Sequence, residues 1–332
     1  MPYKERLKKG HPRIRKKACY KVKNWSEYNK SLKKRGCLSL YFPKGDLREL
    51  FINDHCYRIG LSGRQCYYHP VYIELIYTFY RLFNWGIRQI AGYFEDLWKK
   101  QNLDIAVPSF GHLSDLFSSL SPQVRHACDK VAKRLQNGES VGLIMDSSGF
   151  RFDKSSGWYE TKYNKPCSAR PWRKLHLSID QNMEVYAASL TEQEVGDKEV
   201  MDALMPASLS IDKVIADGGY YSAEQSQSLY DKGIIPIIPP PANSTVHDPQ
   251  RLSWHDKIVG YIKDKGTVYA FHKKYGYSMR SKIEAQFSRI KRCIGSSLKT
   301  IKISSQKSEA IIICNILNLW NSFGKPVCVK IP

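Results

Sequence analysis

Two short apolar runs in this chain each end on an aspartate with glycine close behind. Val141-Gly142-Leu143-Ile144-Met145 runs into Asp146-Ser147-Ser148-Gly149, and Val214-Ile215-Ala216 runs into Asp217-Gly218-Gly219. Continuous apolar runs this short read as buried strands. A carboxylate at the end of a buried strand is costly unless something compensates its charge. Glycine next to it lets a backbone or a ligand come close. Either aspartate alone would pass as a helix N-cap or turn residue. Two of them at the tips of strands in one sheet point to a site.

The surrounding pattern supplies that sheet. Leu175 to Ile179 and Val185 to Leu190 read as paired strands turning at Gln181-Asn182. Lys198 to Leu204 reads as a helix, and Ser222 to Tyr230 as another, closed by Gly233. Ile234 to Ile238 is a further strand, stopped by Pro239-Pro240-Pro241. Strands alternating with helices give a mixed α/β sheet flanked by helices. Residues 242–265 are polar and irregular, so a loop or short hairpin is expected within 242–270. A long helix is expected over 278–294, and the apolar stretch Ala310 to Leu319 reads as a helix on the core.

Before residue 139 the period is helical throughout. Val71, Leu75, Ile76, Phe79 and Leu82 form one stripe, broken at Asn84-Trp85-Gly86. Ile87, Ile90, Ala91, Phe94, Leu97 and Trp98 form a second. Pro108 stops the chain, and Ser109 is placed to cap a third helix carrying Leu113, Leu116, Phe117 and Leu120. Three short helices with tight turns resemble a helix-turn-helix unit. The expected organisation is a basic arm over 1–50, an all-helical DNA-binding region over 51–135, and an α/β domain over 136–332.

Charge points to the partner. The chain has 52 Lys and Arg against 31 Asp and Glu, a formal +21. A field of that sign attracts a polyanion. Residues 1–35 hold 14 basic and 2 acidic residues, more than half of the net charge. Within them Arg13, Arg15, Lys16 and Lys17 are candidates to lie along phosphates. Trp25 and Tyr28 argue that part of the arm packs on something. The stretch 162–174 carries Lys162, Lys165, Arg170, Arg173 and Lys174 with no acid, a second phosphate-contact candidate. Trp158 and Trp172 could stack on a base but read better as packing residues.

Nine scattered cysteines without a CxxC pair read as reduced thiols. The group His55, Cys56, Cys66 and His69 fits no common zinc spacing. The basic N-terminus has no secretory apolar segment, and no run is long enough to span a membrane. A soluble, cytoplasmic protein is expected.

The third candidate acid is Glu284. Between residues 273 and 302 it is the only acid among nine basic residues. On one continuous helix Tyr277, Arg280, Glu284 and Lys291 would share a stripe about 60° wide. Ile283, Phe287, Ile290 and Ile294 form a second stripe that can pack on the sheet. The helix would then tilt Glu284 toward the strand ends. Pairing with Arg280 at i, i+4 is the plainer role for it.

These residues carry a resemblance. Their spacing matches the Y-(2)-R-(3)-E-(6)-K signature of bacterial insertion-sequence transposases of the DDE type. The segments around Asp146 and Asp217 resemble the other two signature blocks. Pro171-Trp172-Arg173-Lys174-Leu175-His176-Leu177 resembles the strand after the first aspartate. Asn24-Trp25-Ser26-Glu27-Tyr28-Asn29 and Leu103-Asp104-Ile105-Ala106-Val107-Pro108 resemble N-terminal segments of the insertion-sequence-five family. The resemblance implies a ribonuclease-H-like catalytic fold in which Asp146, Asp217 and Glu284 bind metal. Two divalent cations about 3.5–4 Å apart suit such a site. Mg²⁺ is the expected ion, with Mn²⁺ as a substitute. It further implies that Tyr277, Arg280 and Lys291 contact DNA. The partner would be double-stranded DNA, both element ends and target, bound by a homodimer on paired ends at the bacterial nucleoid. The short interval from Asp217 to Glu284 leaves little room for a β-rich insertion domain. A ribonuclease-H-like nuclease of other specificity, or a non-catalytic DNA-binding regulator, are the alternatives. His176, between two leucines on a strand, reads as a core histidine and not as a ligand.

Overall fold

A computed structural model describes residues 19–53, 67–152 and 172–331. The chain divides into two compact units, Met1–Leu40 with Phe323–Pro332, and Tyr41–Ser322.

The first unit joins the two ends of the sequence. Strand β1 (Cys19–Val22) pairs antiparallel with the C-terminal strand β7 (Cys328–Ile331), from Cys19 opposite Ile331 to Val22 opposite Cys328. Helix α1 (Trp25–Lys34) follows β1. The Asn24 amide clamps the junction: Nδ2 donates to Lys325 O at 3.0 Å, and Oδ1 accepts from Val327 N at 2.7 Å. Trp25 and Tyr28 meet edge to face on α1. The described part of the basic N-terminal stretch is therefore folded, and the C-terminal strand completes it.

The second unit begins with helices α2 (Leu47–Phe51), α3 (Pro70–Phe83), α4 (Ile87–Lys100), α5 (Phe110–Ser119) and α6 (Asp129–Gln136). The breaks fall where the sequence places them. Pro70 opens α3, where its missing N–H is harmless. Asn84 ends α3 in the left-handed region, φ 56°. Ser109 Oγ caps α5 by accepting from His112 N. Aromatic rings fill the space between these helices. Phe51 stacks on Tyr72, whose hydroxyl accepts from Trp98 Nε1 at 2.8 Å.

The α/β part carries a five-stranded mixed sheet with helices on it, the ribonuclease-H-like arrangement expected. Its strands are β2 (Val141–Arg151), β3 (Trp172–Ile179), β4 (Val185–Thr191), β5 (Ile211–Ile215) and β6 (Ile235–Ile237), in the order β4-β3-β2-β5-β6. β2 is antiparallel to β3 and parallel to β5. Alternation sends Leu143, Met145, Val214 and Ala216 into one core with Leu204, Tyr220 and Leu229. Leu175 through Ile179 are all buried, so both faces of β3 are covered.

Several sequence expectations need correction. Asp146 is not at a strand tip, because β2 runs on to Arg151 in register with β3. Pairing with β5 does stop at Ile144 opposite Ile215, so Asp146 lies just where the parallel ladder opens. The helix expected over 198–204 is two short 3-10 turns, Asp197–Val200 and Asp202–Leu204. Pro206 disfavours helical geometry at Met205, which is extended. Of the expected loop or hairpin within 242–270, residues 242–253 are loop, and the remainder is helical. Following α7 (Ala223–Asp231) and β6 come α8 (Trp254–Lys265) and α9 (Val268–Tyr275). Ser253 caps α8, Gly266 closes it at φ 66°, and Trp254 Nε1 donates to Pro236 O on β6 at 3.1 Å. The helix expected over 278–294 is α10 (Ser281–Cys293), with Tyr277–Arg280 forming a separate 3-10 turn before it. Helix α11 (Ile303–Phe323) outruns the predicted Ala310 to Leu319 at both ends. Among the described residues no helix is long and apolar enough to cross a membrane.

Candidate active site

The opening between β2 and β5 gathers the three acids. Asp146 stands on β2, facing α10. Its Oδ1 accepts from Ser147 N at 2.9 Å and its Oδ2 from Arg280 Nη1 at 2.9 Å. Asp217 follows β5 and caps the 3-10 turn Gly218–Tyr220. Its Oδ1 accepts from Gly219 N at 2.6 Å, and its Oδ2 lies 3.8 Å from Arg280 Nη1. Glu284 sits in the first turn of α10, its Oε1 2.5 Å from Arg280 Nη2. Ile283, Phe287 and Ile290 bury the other side of α10, which holds Glu284 toward the opening between β2 and β5.

One guanidinium thus meets all three carboxylates. The turn plays the part for Asp217 that an isolated aspartate would play anywhere, yet its second oxygen faces the cluster. Burial pushes the Asp146 carboxyl above the ordinary carboxylate range, and the Arg280 charge opposes that rise. Oxygen donors converging on a single positive group are a donor set suited to a hard divalent cation.

Tyr277 and Arg280 share the 3-10 turn, so they reach the site from before the helix and not along its stripe. The Arg280 guanidinium lies 6.0 Å from the Tyr277 ring centre, and that ring stacks on His272 at 4.3 Å. Burial pushes the Tyr277 phenol up to about 12. Lys291, two turns beyond Glu284, donates to Ser148 Oγ at 2.8 Å and lies over the Phe150 ring.

The other candidates fare differently. Arg173 is tied to Glu192 at 2.5 Å and to Gln306. Lys174 donates to Val195 O at 2.8 Å and to Asp197. Both cations are engaged within the protein. Trp172 lies along Gly149, where an added Cβ would come within 3.1 Å of its ring. Arg13, Arg15, Lys16, Lys17, Lys162, Lys165, Arg170, Trp158, His55, Cys56 and Cys66 lie outside the described residues. His176 is buried between Tyr220 Oη at 3.2 Å and Thr191 Oγ1 at 2.9 Å. Burial lowers its pKa to about 4, so it is neutral at ordinary pH.

A second group with ligand-type atoms, His247, His255 and Asp256, is satisfied by its own neighbours. His255 meets Tyr221 Oη and Thr245 O, and Asp256 receives two backbone amides and Ser253.

Sequence reading missed Asp197, a fourth carboxylate beside the cluster. It follows Gly196 in a stretch with nothing to mark it, and only the 3-10 turns bring it back to the sheet. Residues 137–319, more than half of the chain, match the family described as the transposase DDE domain.

Proposed function

The chain belongs to the transposase DDE-domain family, and on that premise we propose that it cleaves the ends of an insertion sequence and joins them to target DNA. Asp146, Asp217 and Glu284 are the proposed metal-binding and catalytic acids. The observation that carries the reading is their convergence on the Arg280 guanidinium at the open end of the β2–β5 ladder. In open α/β sheets, such crevices beyond the carboxyl ends of strands are where ligands bind.

Two divalent cations held by these acids, Mg²⁺ with Mn²⁺ as substitute, would activate the attacking oxygen and stabilise the leaving one. The protein's own part is to fix the carboxylates and the DNA. The Ser147 and Gly219 amides orient the two aspartates. Arg280 offsets part of the charge of the acids, and its fork would suit a phosphate oxygen pair of DNA bound at the opening. Tyr277 and Lys291 flank the same opening and are proposed to hold the DNA end there. Water attacks the phosphorus at the element's end and displaces the 3′-oxygen, leaving the phosphate on the flanking 5′ end. The freed 3′-hydroxyl then attacks a target phosphorus in line and displaces the target strand's own 3′-oxygen.

The spacing from Tyr277 to Lys291 supports a place in the insertion-sequence-five group, with terminal inverted repeats as the substrate. We assign the basic stretch 1–50, with Arg13, Arg15, Lys16 and Lys17, and the helical region 51–135 to DNA binding. Residues 136–332, with Arg170 as a further DNA contact, form the proposed catalytic domain. The described part of residues 1–40 with 323–332 carries a marked excess of lysine and arginine, which supports phosphate contact. A homodimer on paired ends, acting at the nucleoid, is part of the same proposal. The test is a labelled duplex carrying the inverted repeat, incubated with protein and Mg²⁺ or Mn²⁺. A nick at the repeat's boundary is expected, and Asp146→Asn should abolish it. Cleavage by that variant at the wild-type rate would sink the assignment.

A further inference from the structure

Asp197 begins the 3-10 turn after β4, and that turn packs against the one capped by Asp217. Its Oδ2 accepts from Ser147 Oγ at 3.2 Å. Its Oδ1 lies 3.3 Å from Lys174 Nζ and 3.9 Å from His176 Nδ1. The same Oδ2 closes on Gly219: a Cβ there would stand 3.3 Å from it and 3.2 Å from Asp217 Oδ1. Asp197 therefore bonds Ser147, whose backbone amide orients Asp146, and borders the space over Gly219, whose backbone amide orients Asp217. Successive side chains on β2 alternate between faces. Ser147 points away from the Asp146 side, so Asp197 supports the site from beneath.

We infer that Asp197 is a positioning residue for the metal-binding acids, acting through Ser147. This rests on the assignment of Asp146, Asp217 and Glu284 proposed above. Lys174 balances its charge, so a fourth carboxylate can sit here without displacing the other three. Groups that hold the ligands of a metal typically change its affinity 10- to 100-fold when removed. Gly219 belongs to the same device, since any side chain there would press on both carboxylates.

The experiment is Mn²⁺ titration of the full-length protein without DNA, with free ion read by electron paramagnetic resonance. Wild type is expected to bind Mn²⁺, and Asp146→Asn to lose it. Asp197→Ala should weaken binding about 10-fold. Asp197→Asn, which keeps an oxygen for the Ser147 hydroxyl, should recover most of that loss. Ser147→Ala cuts only the link and should weaken binding severalfold; it decides the matter where Asp197→Ala does not fold. Wild-type affinity in both Asp197→Ala and Ser147→Ala overturns the inference while leaving the three acids in place. An Asp197→Asn as weak as Asp197→Ala also overturns it, in favour of plain negative charge. A wild type that holds no Mn²⁺ sinks the reading of the three acids, and this inference with it.

Discussion

Arg280 Nη1 lies 2.9 Å from Asp146 Oδ2, although 134 residues of chain separate them. The other arm of the fork holds Glu284, one helical turn away. Without metal, this arginine is the cation that lets the acids share one opening. Arg280→Ala should therefore destabilise the metal-free protein. The side chains are part-exposed, so the cost is small, about 1 kcal/mol, or a fall of a degree or two in Tm. Added Mg²⁺ should then raise Tm more in the variant than in wild type, because the ion relieves more repulsion there. Equal Mg²⁺ shifts in paired melting curves would count against this role.

Lys291 holds Ser148 Oγ at 2.8 Å, and burial lowers its pKa. It stays on the site's rim, within reach of a phosphate passing the acids. Lys291→Met should weaken binding of duplex DNA across sequences alike. The slope of log affinity against log salt should flatten by about 0.9, the loss of one phosphate contact. Ser148→Ala removes the resting partner only and should leave the slope alone. Fluorescence anisotropy at several salt concentrations reads both.

His176 titrates far below its ordinary value near 6.5, at about 4, because the folded protein buries it neutral. Its folded pKa is lower than its unfolded one, so between about 4 and 6.5 the unfolded chain binds more protons. Stability must then rise with pH across that window and fall as pH drops through it. The whole contribution is about 3 kcal/mol. Urea unfolding from pH 7 down to pH 4 should show the decline. His176→Asn, which carries no titrating group, should flatten it, and an unchanged slope in that variant would refute the assignment.

Local signals carried much of this fold and long-range ones little. Ser109, Asn84, Ser222 and Gly233 mark element ends by the chemistry of a cap or a left-handed residue, and each stands where the sequence places it. Asp146 was legible as a candidate but misplaced on its strand. Nothing local to Ser147-Ser148-Gly149 says that β3 continues the ladder after β5 leaves it. Tyr277 joins the stripe of Glu284 only on a helix that reaches back past 278, and Gly276 with the 3-10 turn interrupts that path. The helix beginning at Trp254 had its cap and its glycine in plain view, and polarity on its outer side hid the period. Asp197 and the Asn24 clamp to Val327 had no local signal at all, since their meaning comes from residues far away in the chain.

The buried pair Arg81–Glu309 shows how uneven such long-range contacts are. Arg81 Nη1 lies 2.8 Å from Glu309 Oε1, with side chains 1% and 0% exposed. Glu309 also accepts from Lys299 N at 2.8 Å, Thr300 N at 3.1 Å and Thr300 Oγ1 at 2.8 Å. Arg81 has only Ser297 O besides, and its Nε and Nη2 are buried without a partner among the described residues. The carboxylate can thus survive the loss of its arginine, while the guanidinium cannot survive the loss of its carboxylate. Glu309→Ala should cost about 3–5 kcal/mol, the range for a buried charge left unpaired. Arg81→Met should cost about 1–3 kcal/mol, because backbone amides still satisfy Glu309. Adding Arg81→Met to Glu309→Ala should restore stability relative to Glu309→Ala alone, since it removes the stranded charge. Urea unfolding of the three variants decides the order, and a costlier Arg81→Met would reverse the argument.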